Sequence, residues 1–376
     1  MKQRGENMLR ILHIFGKLNN GGAENGVMNI YRHLNKERFQ FDFVTHDTEE
    51  GFFEPEIIEM GGKIYRGMPR YRLYNDFSYQ KAWEAFFDVH PYSIIQIHTT
   101  NSALPILRAA IKKKIHVRIS HAHSASEPSL FRRIWVKINK RSIRKKSTDL
   151  FAVSDNSSLF TFGIKSHRIL NGIDAKQFAY QPNQREKIRQ SMHISPDAFV
   201  IGHIGRFCYA KNHTFMLKLA HQLFLKHKNA KMVFVGNGEL YDQIQQEASE
   251  LCKQGKIEFW GVRNDIYDVL QAFDAFILPS FYEGMPRSAI EAQASGLPCF
   301  LSDVITKETV VIPELVRFLS IKNTDIWVQA LSSAIDDIPE RKDESDQMIK
   351  NGFDINITTR FCEVFYEQMS ENNMQS

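Results

Sequence analysis

Short β-rich apolar runs alternate with amphipathic stretches along most of the chain, the pattern of parallel strands joined by crossover helices. In the first half this pattern predicts strands at residues 9–14, 41–45, 63–65, 94–98, 117–120, 150–153 and 167–170, with helices at about 23–34, 80–89, 103–111, 132–146 and 157–162. The alternation restarts at 199–204 and continues through strands at 232–235, 257–260, 275–278 and 299–301. Helices at about 214–228, 240–251, 266–272, 287–295 and 326–335 lie between them. Two restarts of a doubly wound α/β pattern predict two Rossmann-like domains, each with its ligand loops at the carboxyl ends of the strands. The expected division is an N-terminal domain over 1–174, a C-terminal domain over 196–355 and a final amphipathic helix within 356–376 that packs back on one of them. The polar stretch 175–195, centred on Gln181-Pro182-Asn183-Gln184, reads as the linker.

A length of 376 residues suits two packed α/β domains, and 43% apolar with 24% charged residues is globular composition. Cys208, Cys252, Cys299 and Cys362 are far apart and form no C-x-x-C pair. That argues against a disulfide framework or a zinc ribbon and suits a reducing, cytoplasmic setting. No apolar run reaches the roughly 18 residues that a membrane span requires, and residues 1–7 are too polar to open a signal peptide. The net charge of +5 is uneven: residues 1–175 hold 27 Lys and Arg against 17 Asp and Glu, whereas 176–376 hold 21 against 26. The basic half is expected to meet something anionic, a membrane surface or a phosphorylated acceptor, or else simply to be solvated.

The strongest chemical signal is the run Phe281-Tyr282-Glu283-Gly284-Met285-Pro286-Arg287-Ser288-Ala289-Ile290-Glu291-Ala292, directly after the predicted strand 275–278. Glu283 falls on a loop where a helix begins, and Glu291 about two turns into that helix. The free amides of Gly284, Met285 and the first helical turn that follows point toward a ligand at the positive end of the helix dipole. A carboxylate on the loop suits sugar hydroxyls, and one on the helix suits a ribose diol. Arg206 and Lys211 follow the strand 199–204, where fixed cations suit an anionic ligand at the carboxyl end of the sheet. No D-x-D pair follows any predicted strand, so no carboxylate clamp for magnesium is expected and metal independence follows as the expectation.

The run from Glu283 to Glu291 resembles the E-x7-E motif of retaining glycosyltransferases of family four, which have the GT-B fold of two Rossmann-like domains facing across a cleft. Further landmarks occur in the family's order: Gly21-Gly22-Ala23-Glu24, Asn171-Gly172-Ile173-Asp174, Gly205-Arg206 with Lys211-Asn212, Val235-Gly236-Asn237-Gly238 and Trp260-Gly261. The segments Arg118-Ile119-Ser120-His121-Ala122-His123-Ser124 and Thr306-Lys307-Glu308 are similar to stretches in bacterial enzymes of exopolysaccharide, capsule and cell-envelope glycan synthesis.

The resemblance implies a nucleotide-diphosphate sugar donor, most simply a UDP-sugar, and a glycan or lipid-linked saccharide acceptor, with the anomeric configuration retained and no further cofactor. Glu291 is expected on the ribose, Val262 near the base, Arg206 and Lys211 on the diphosphate, and Glu283 with Gly284, Met285, Pro286 and Arg287 at the sugar. Gly21 and Gly22 are expected either beside the phosphates or acceptor, or as a plain strand-to-helix turn. A histidine is expected near the sugar, His121 by strand alternation or His123 if the register slips. Asn171 is expected to shape a hinge. The chain departs from the family after Leu301, where Ser302 to Glu308 replaces a glycine pair; this leaves the phosphate contacts of the loop open, with Thr306 and Lys307 as candidate substitutes.

The basic stretch 131–146 has Ile134, Trp135 and Ile138 at helical spacing and fits either an anionic membrane surface on the cytoplasmic face or a core-packed helix with a solvated side. No nucleic-acid motif accompanies it. Two rival functions share the predicted shape: a nucleotide-sugar epimerase, which would turn over donor with no acceptor, and a non-catalytic sugar-binding adaptor, which would leave donor intact.

Overall fold

The computed structural model describes residues 8–19, 21–123 and 130–374. The chain divides into two compact units, one made of Met1–Gly172 with Ile355–Ser376 and the other of Ile173–Asp354. The first unit is built on strands β1 (Leu9–Ile14), β2 (Phe39–Val44), β3 (Ile64–Tyr65), β4 (Ile94–Ile97), β5 (Val117–Ala122), β6 (Asp149–Ala152) and β7 (His167–Arg168). They form one sheet in the order β3-β2-β1-β4-β5-β6-β7, with every described pairing parallel.

A parallel sheet is covered by helices on both faces, so its central strands must be apolar on both sides. All six positions of β2 and all four of β4 are buried. The buried carboxylate in β2, Asp42, is tolerated because it accepts from Arg10 Nε, the Tyr92 hydroxyl and the Lys63 amide, each at 2.7 Å.

The chain returns to this unit through the helix Ile355–Met374. Ile355, Cys362, Phe365 and Tyr366 of that helix share one core with Ile11, Phe41 and Phe151. Its polar side contributes specific bonds: Glu363 accepts from the Asn35 amide at 2.9 Å, and the Tyr366 hydroxyl donates to Gln96 Oε1 at 2.7 Å.

The second unit contains β8 (Phe199–Ile204), β9 (Ala230–Val235), β10 (Ile257–Phe259), β11 (Ala275–Leu278), β12 (Cys299–Ser302) and β13 (Val316–Leu319), in the order β10-β9-β8-β11-β12-β13 and again parallel. This is the 3-2-1-4-5-6 order of a nucleotide-binding sheet. β13 is absent from the sequence reading because it is a half-buried edge strand of four residues with Arg317 inside it, and an edge strand lacks the continuous apolar signature.

Residues 175–195, read from sequence as a linker, instead hold the helices Ala175–Phe178 and Pro182–Ser191 and belong to the second unit. Their polar residues have structural partners. Arg185 and Arg189 both bond Asp274, at 2.5 and 3.1 Å, and Asp274 also accepts from the Val200 amide at 2.8 Å. Arg185, Arg189 and Arg341 donate to the carbonyls of Gln271, Ala272 and Phe273, where the helix Ile266–Ala272 runs out of acceptor partners. The unit boundary therefore falls at Gly172/Ile173, and Ile173 bonds the Phe353 carbonyl at 2.9 Å where the chain crosses back.

Among the described residues no helix is long and apolar enough to cross a membrane. The basic stretch forms the helix Leu130–Lys146, with Val136 and Ile143 buried and Ile134 and Ile138 exposed. The side chains at 130–133 and 135, including Trp135, lie outside the described residues, as does Ser124.

Candidate active site

In the second sheet the strand order reverses between the neighbours β8 and β11, so their carboxyl ends open side by side. The loop after β8 carries Gly205 and Arg206 and tightens into a single 3-10 turn, Tyr209–Lys211, which ends on Asn212 in the left-handed region at φ 58°. The loop after β11 runs from Pro279 to Pro286 and caps the helix Arg287–Ala294. The two loops are joined. The Phe281 amide donates to the Ala210 carbonyl at 2.8 Å, Asn212 Nδ2 donates to the Pro279 carbonyl at 3.2 Å, and the rings of Tyr209 and Phe281 stack at 4.8 Å.

This junction holds Lys211 against Glu283. Lys211 Nζ donates to Glu283 Oε1 at 2.5 Å, and the Ser280 hydroxyl donates to the same oxygen at 2.7 Å. Both charged side chains are about 15% exposed, 15% for the lysine and 14% for the glutamate, so the pair is reachable yet largely out of bulk water. The glycines nearby make room for it. A Cβ on Gly205 would stand 3.2 Å from Lys211 Cε, and one on Gly236, at φ 132°, would stand 2.1 Å from the Gly205 carbonyl oxygen. The second contact admits only glycine, which explains the Val235-Gly236 turn.

Beneath the pair lie His203 and His213. Burial holds their imidazoles down to about 3 and about 2, with Lys211 pushing in the same direction, so both are neutral at pH 7.

A second ion pair begins the helix. Arg287 Nη2 donates to Glu291 Oε1 at 3.3 Å across one turn, and Arg287 Nη1 is buried with no hydrogen-bond partner. Glu291 is itself buried, and burial pushes its carboxyl above the usual carboxylate range against the pull of Arg287. Because the helix starts at Arg287, Glu291 lies just past the first turn and under the surface, closer in than the two turns read from sequence. Gly284, Met285 and Pro286 make the loop between the two pairs, with Met285 buried and Pro286 at the N-cap.

The remaining expected donor residues stand around this centre. Arg206 leaves 71% of its side chain exposed and pairs with Glu239 at 3.0 Å. Val262 is exposed just beyond the left-handed Gly261 after β10, and Arg263 beside it pairs with Asp265 at 2.5 Å. After β12, the Thr306 hydroxyl accepts from the Glu308 amide at 3.3 Å, and Lys307 is exposed. Ser280 and Glu239 escaped the sequence reading. Ser280 stands three residues before Glu283 in an otherwise apolar turn, which is the signal that would have found it.

The first unit holds the other expected residues. Gly21 is the extended N-cap of the helix Gly22–His33, and a Cβ there would lie 2.4 Å from Glu24 Oε2, so the carboxyl folds back over the helix start. Burial pushes that carboxyl up to about 7. Asn171 packs its Oδ1 against Gly26 of the same helix, where a Cβ would stand 3.1 Å away.

His121 and His123 lie two residues apart and their rings approach to 4.1 Å. His121 is buried, with Nδ1 on Gln96 Nε2 at 2.9 Å, while His123 Nε2 meets His98 Nδ1 at 2.7 Å and His98 Nε2 meets His13 Nδ1 at 3.0 Å. Desolvation holds His123 down to about 4, holds His13 down to about 3, and holds His98 and His121 well below the ordinary range. His98 also borders a cavity of about 460 Å³ lined by Lys17, His46, Asp47, Arg70 and Tyr71.

Two family descriptions match this chain, Glycosyltransferase Family 4 over residues 20–177 and Glycosyl transferases group 1 over residues 184–354. The chain is 32% identical over 357 residues to the putative glycosyltransferase EpsF of Bacillus subtilis, covering 92% of this chain and 93% of that one. It is 25% identical to the capsular polysaccharide biosynthesis glycosyltransferase CapH of Staphylococcus aureus, covering 96% and 99%. Among solved structures, Anabaena HepE in complex with UDP-glucose superposes with a TM-score of 0.77 at 17% identity, covering 98% of this chain and 100% of that one. With two parallel α/β units and a relative of this identity along nearly its whole length, the chain belongs to the family-four glycosyltransferases of GT-B fold.

Proposed function

We propose that this glycosyltransferase takes a sugar from a uridine-diphosphate donor and passes it to a glycan or lipid-linked saccharide in bacterial exopolysaccharide or capsule synthesis, with retention of configuration. The observation that carries the reading is the Lys211–Glu283 pair, braced by Ser280 at the switch point of a nucleotide-binding sheet. The HepE complex with UDP-glucose and the capsular role named for CapH support the donor class and the pathway.

In this reading the diphosphate draws Lys211 from Glu283 and meets Arg206 and the unpartnered Nη1 of Arg287. Glu283, released from the lysine, accepts from hydroxyls of the sugar, and Glu291 accepts from the ribose. The bond from the anomeric carbon to the diphosphate oxygen breaks while the acceptor oxygen bonds the same face, and the acceptor proton passes to the departing phosphate. The growing charge on that phosphate is met by side-chain cations, so the transfer step asks for no metal. His121 or His123 contributes a neutral imidazole near the sugar.

The exposed Ile134 and Ile138, set among Lys137, Arg141 and Lys145, favour a peripheral contact of that helix with anionic lipid. Co-sedimentation with vesicles containing phosphatidylglycerol that persists in an Ile134→Ser/Ile138→Ser variant would remove this contact from the proposal.

Transfer from UDP-sugars to lipid-linked oligosaccharides, measured with Lys211→Ala beside the unaltered chain, tests the central reading. Turnover should drop about 100- to 1,000-fold, the loss of one charge-stabilising group. UDP binding by calorimetry should weaken in parallel. A variant of near-normal activity, or donor turnover that needs no acceptor, would displace the reading, the latter in favour of an epimerase.

A further inference from the structure

We infer that His98, His121 and His123 form a binding site for a divalent transition-metal ion of the Zn²⁺ and Co²⁺ class, at the carboxyl ends of β4 and β5 in the first unit. One ring nitrogen from each lies within 4.8 Å of the other two. A tetrahedral ion with bonds of about 2.0–2.1 Å sets its nitrogens roughly 3.4 Å apart, so the rings need to shift by about an ångström to reach it. Three imidazoles are a ligand set that prefers Zn²⁺, Co²⁺, Ni²⁺ and Cu²⁺ over Mg²⁺ or Ca²⁺, and they leave one position open.

The second observation is His121 Nε2, which is buried and has no hydrogen-bond partner, in a residue only 4% exposed. A buried polar atom without a partner is costly, and an ion bonded to it removes the cost.

The groups behind the ligands are already in place. In metal sites a ligating histidine commonly holds its other nitrogen on a fixed partner, which sets the tautomer. His98 has Nε2 on His13 at 3.0 Å, leaving Nδ1 for the ion. His121 has Nδ1 on Gln96, and Gln96 is held from its far side by the Tyr366 hydroxyl at 2.7 Å. For His121 to present a lone pair at Nε2, the Gln96 amide turns over. Its oxygen then accepts from His121 Nδ1–H and its nitrogen donates to the Tyr366 oxygen, and the same pairs remain bonded. His98 Nδ1 and His123 Nε2, now 2.7 Å apart and sharing one proton, separate when the ion enters, and that proton passes to a ring nitrogen turned away from the ion, so each neutral imidazole keeps one proton. Burial keeps all three rings uncharged near neutral pH, so no charged imidazole has to be neutralised first. His98 also faces the cavity of about 460 Å³ beside the site.

Because His121 is also expected beside the transferred sugar, an ion and a sugar hydroxyl would compete for one nitrogen. The test therefore uses no nucleotide sugar, and its outcome is separate from that of the donor reading.

The untagged full chain, stripped with a chelator, is titrated with Co²⁺ while the visible absorption is followed, and Zn²⁺ is then added. One Co²⁺ per chain is expected, with the absorption of a three-nitrogen site that Zn²⁺ abolishes, and Zn²⁺ should raise the melting temperature. His123→Ala, at a half-buried position, should abolish the absorption, and Gln96→Ala should weaken binding about 10- to 100-fold. His116→Ala, at an exposed position, should change nothing. An unaltered chain that shows no absorption at millimolar Co²⁺, or absorption that survives His123→Ala, overturns the site. If a variant does not fold, the unaltered chain decides: a melting temperature insensitive to Zn²⁺ overturns it equally.

Discussion

At the carboxyl edge of the first sheet, β4 and β5 gather His98, His121 and His123 over His13 of β1 as neutral rings bonded largely to one another. At the corresponding edge of the second sheet, the loops after β8 and β11 gather Lys211, Glu283, Arg287 and Glu291 as charges bonded in opposite pairs. The strand order reverses at both edges, between β1 and β4 in one sheet and between β8 and β11 in the other. Topology thus supplies the place and not the chemistry. Where a titratable group is sealed in without a counter-charge it discards its charge, as the imidazoles do. Where it keeps a partner and some exposure it holds the charge available for an anionic ligand.

The sharpest way to break this contrast is acid, because the second unit has uncharged histidines of its own beneath the ion pairs. His203 and His213 are held down to about 3 and about 2, chiefly by burial. Above the ordinary imidazole value near 6.5 they are neutral whether the unit is folded or unfolded, and stability is complete. As pH falls below 6.5 the unfolded chain takes up protons that the folded unit refuses, so stability is lost progressively down toward 3. At pH 4.5 the two together should cost about 5 kcal/mol. Urea unfolding at pH 7.5 and 4.5 measures this within a larger loss to which the buried imidazoles of the first unit also contribute, and His213→Leu should recover about 2–3 kcal/mol of it. A difference unchanged by that substitution would show that the buried imidazole is not what acid attacks.

The interior strands of both sheets were legible because a doubly covered parallel strand is apolar on both faces. Phe39–Val44 and Phe199–Ile204 look like little else. The loop carrying Glu283 was legible for a related reason: Gly284 and Pro286 interrupt apolar sequence at the point where a strand gives way to a helix. The segment 175–195 was not legible, since Gln181, Arg185 and Arg189 have the composition of solvated residues. Only the folded unit reveals that the two arginines cap the helix Ile266–Ala272 and surround Asp274, and that the Gln181 amide donates to Gln271 Oε1. Gln96 and His98 were missed for want of pairing information. Their roles depend on which strand lies beside β4, and periodicity within one strand is silent on its neighbours.

A smaller effect sharpens the charged side of the comparison. Ser280 donates to the same Glu283 oxygen that Lys211 holds, so the glutamate's position rests on two bonds. Ser280→Ala removes the neutral one. The expected loss is about 1 kcal/mol in transition-state stabilisation, roughly a fivefold fall in kcat/KM, with UDP affinity nearly unchanged because the lysine remains. Equal loss in UDP affinity would assign Ser280 to the phosphate rather than to the sugar side.

The smallest effect concerns a rim carboxyl of the first unit that behaves like the imidazoles. Glu24 sits in the first turn of the helix Gly22–His33, where the helix dipole favours a negative charge, yet burial prevails and pushes its carboxyl up to about 7. Below about 4.5 the group is protonated folded or unfolded and contributes nothing to the pH dependence. Between 4.5 and 7 the unfolded chain gives up a proton that the folded unit keeps, so stability falls as pH rises, and above 7 the loss is complete. The shift alone would make that loss about 3 kcal/mol, but the side chain retains contact with water, which reduces it to about 1 kcal/mol. Glu24→Gln should therefore stabilise the first unit by about that amount at pH 8 and leave it unchanged at pH 4, read by urea unfolding at the two values. A substitution that destabilises at pH 8 would mean that the dipole outweighs burial at this helix start, and Glu24 would then join the charged residues of the second unit rather than the neutral ones of the first.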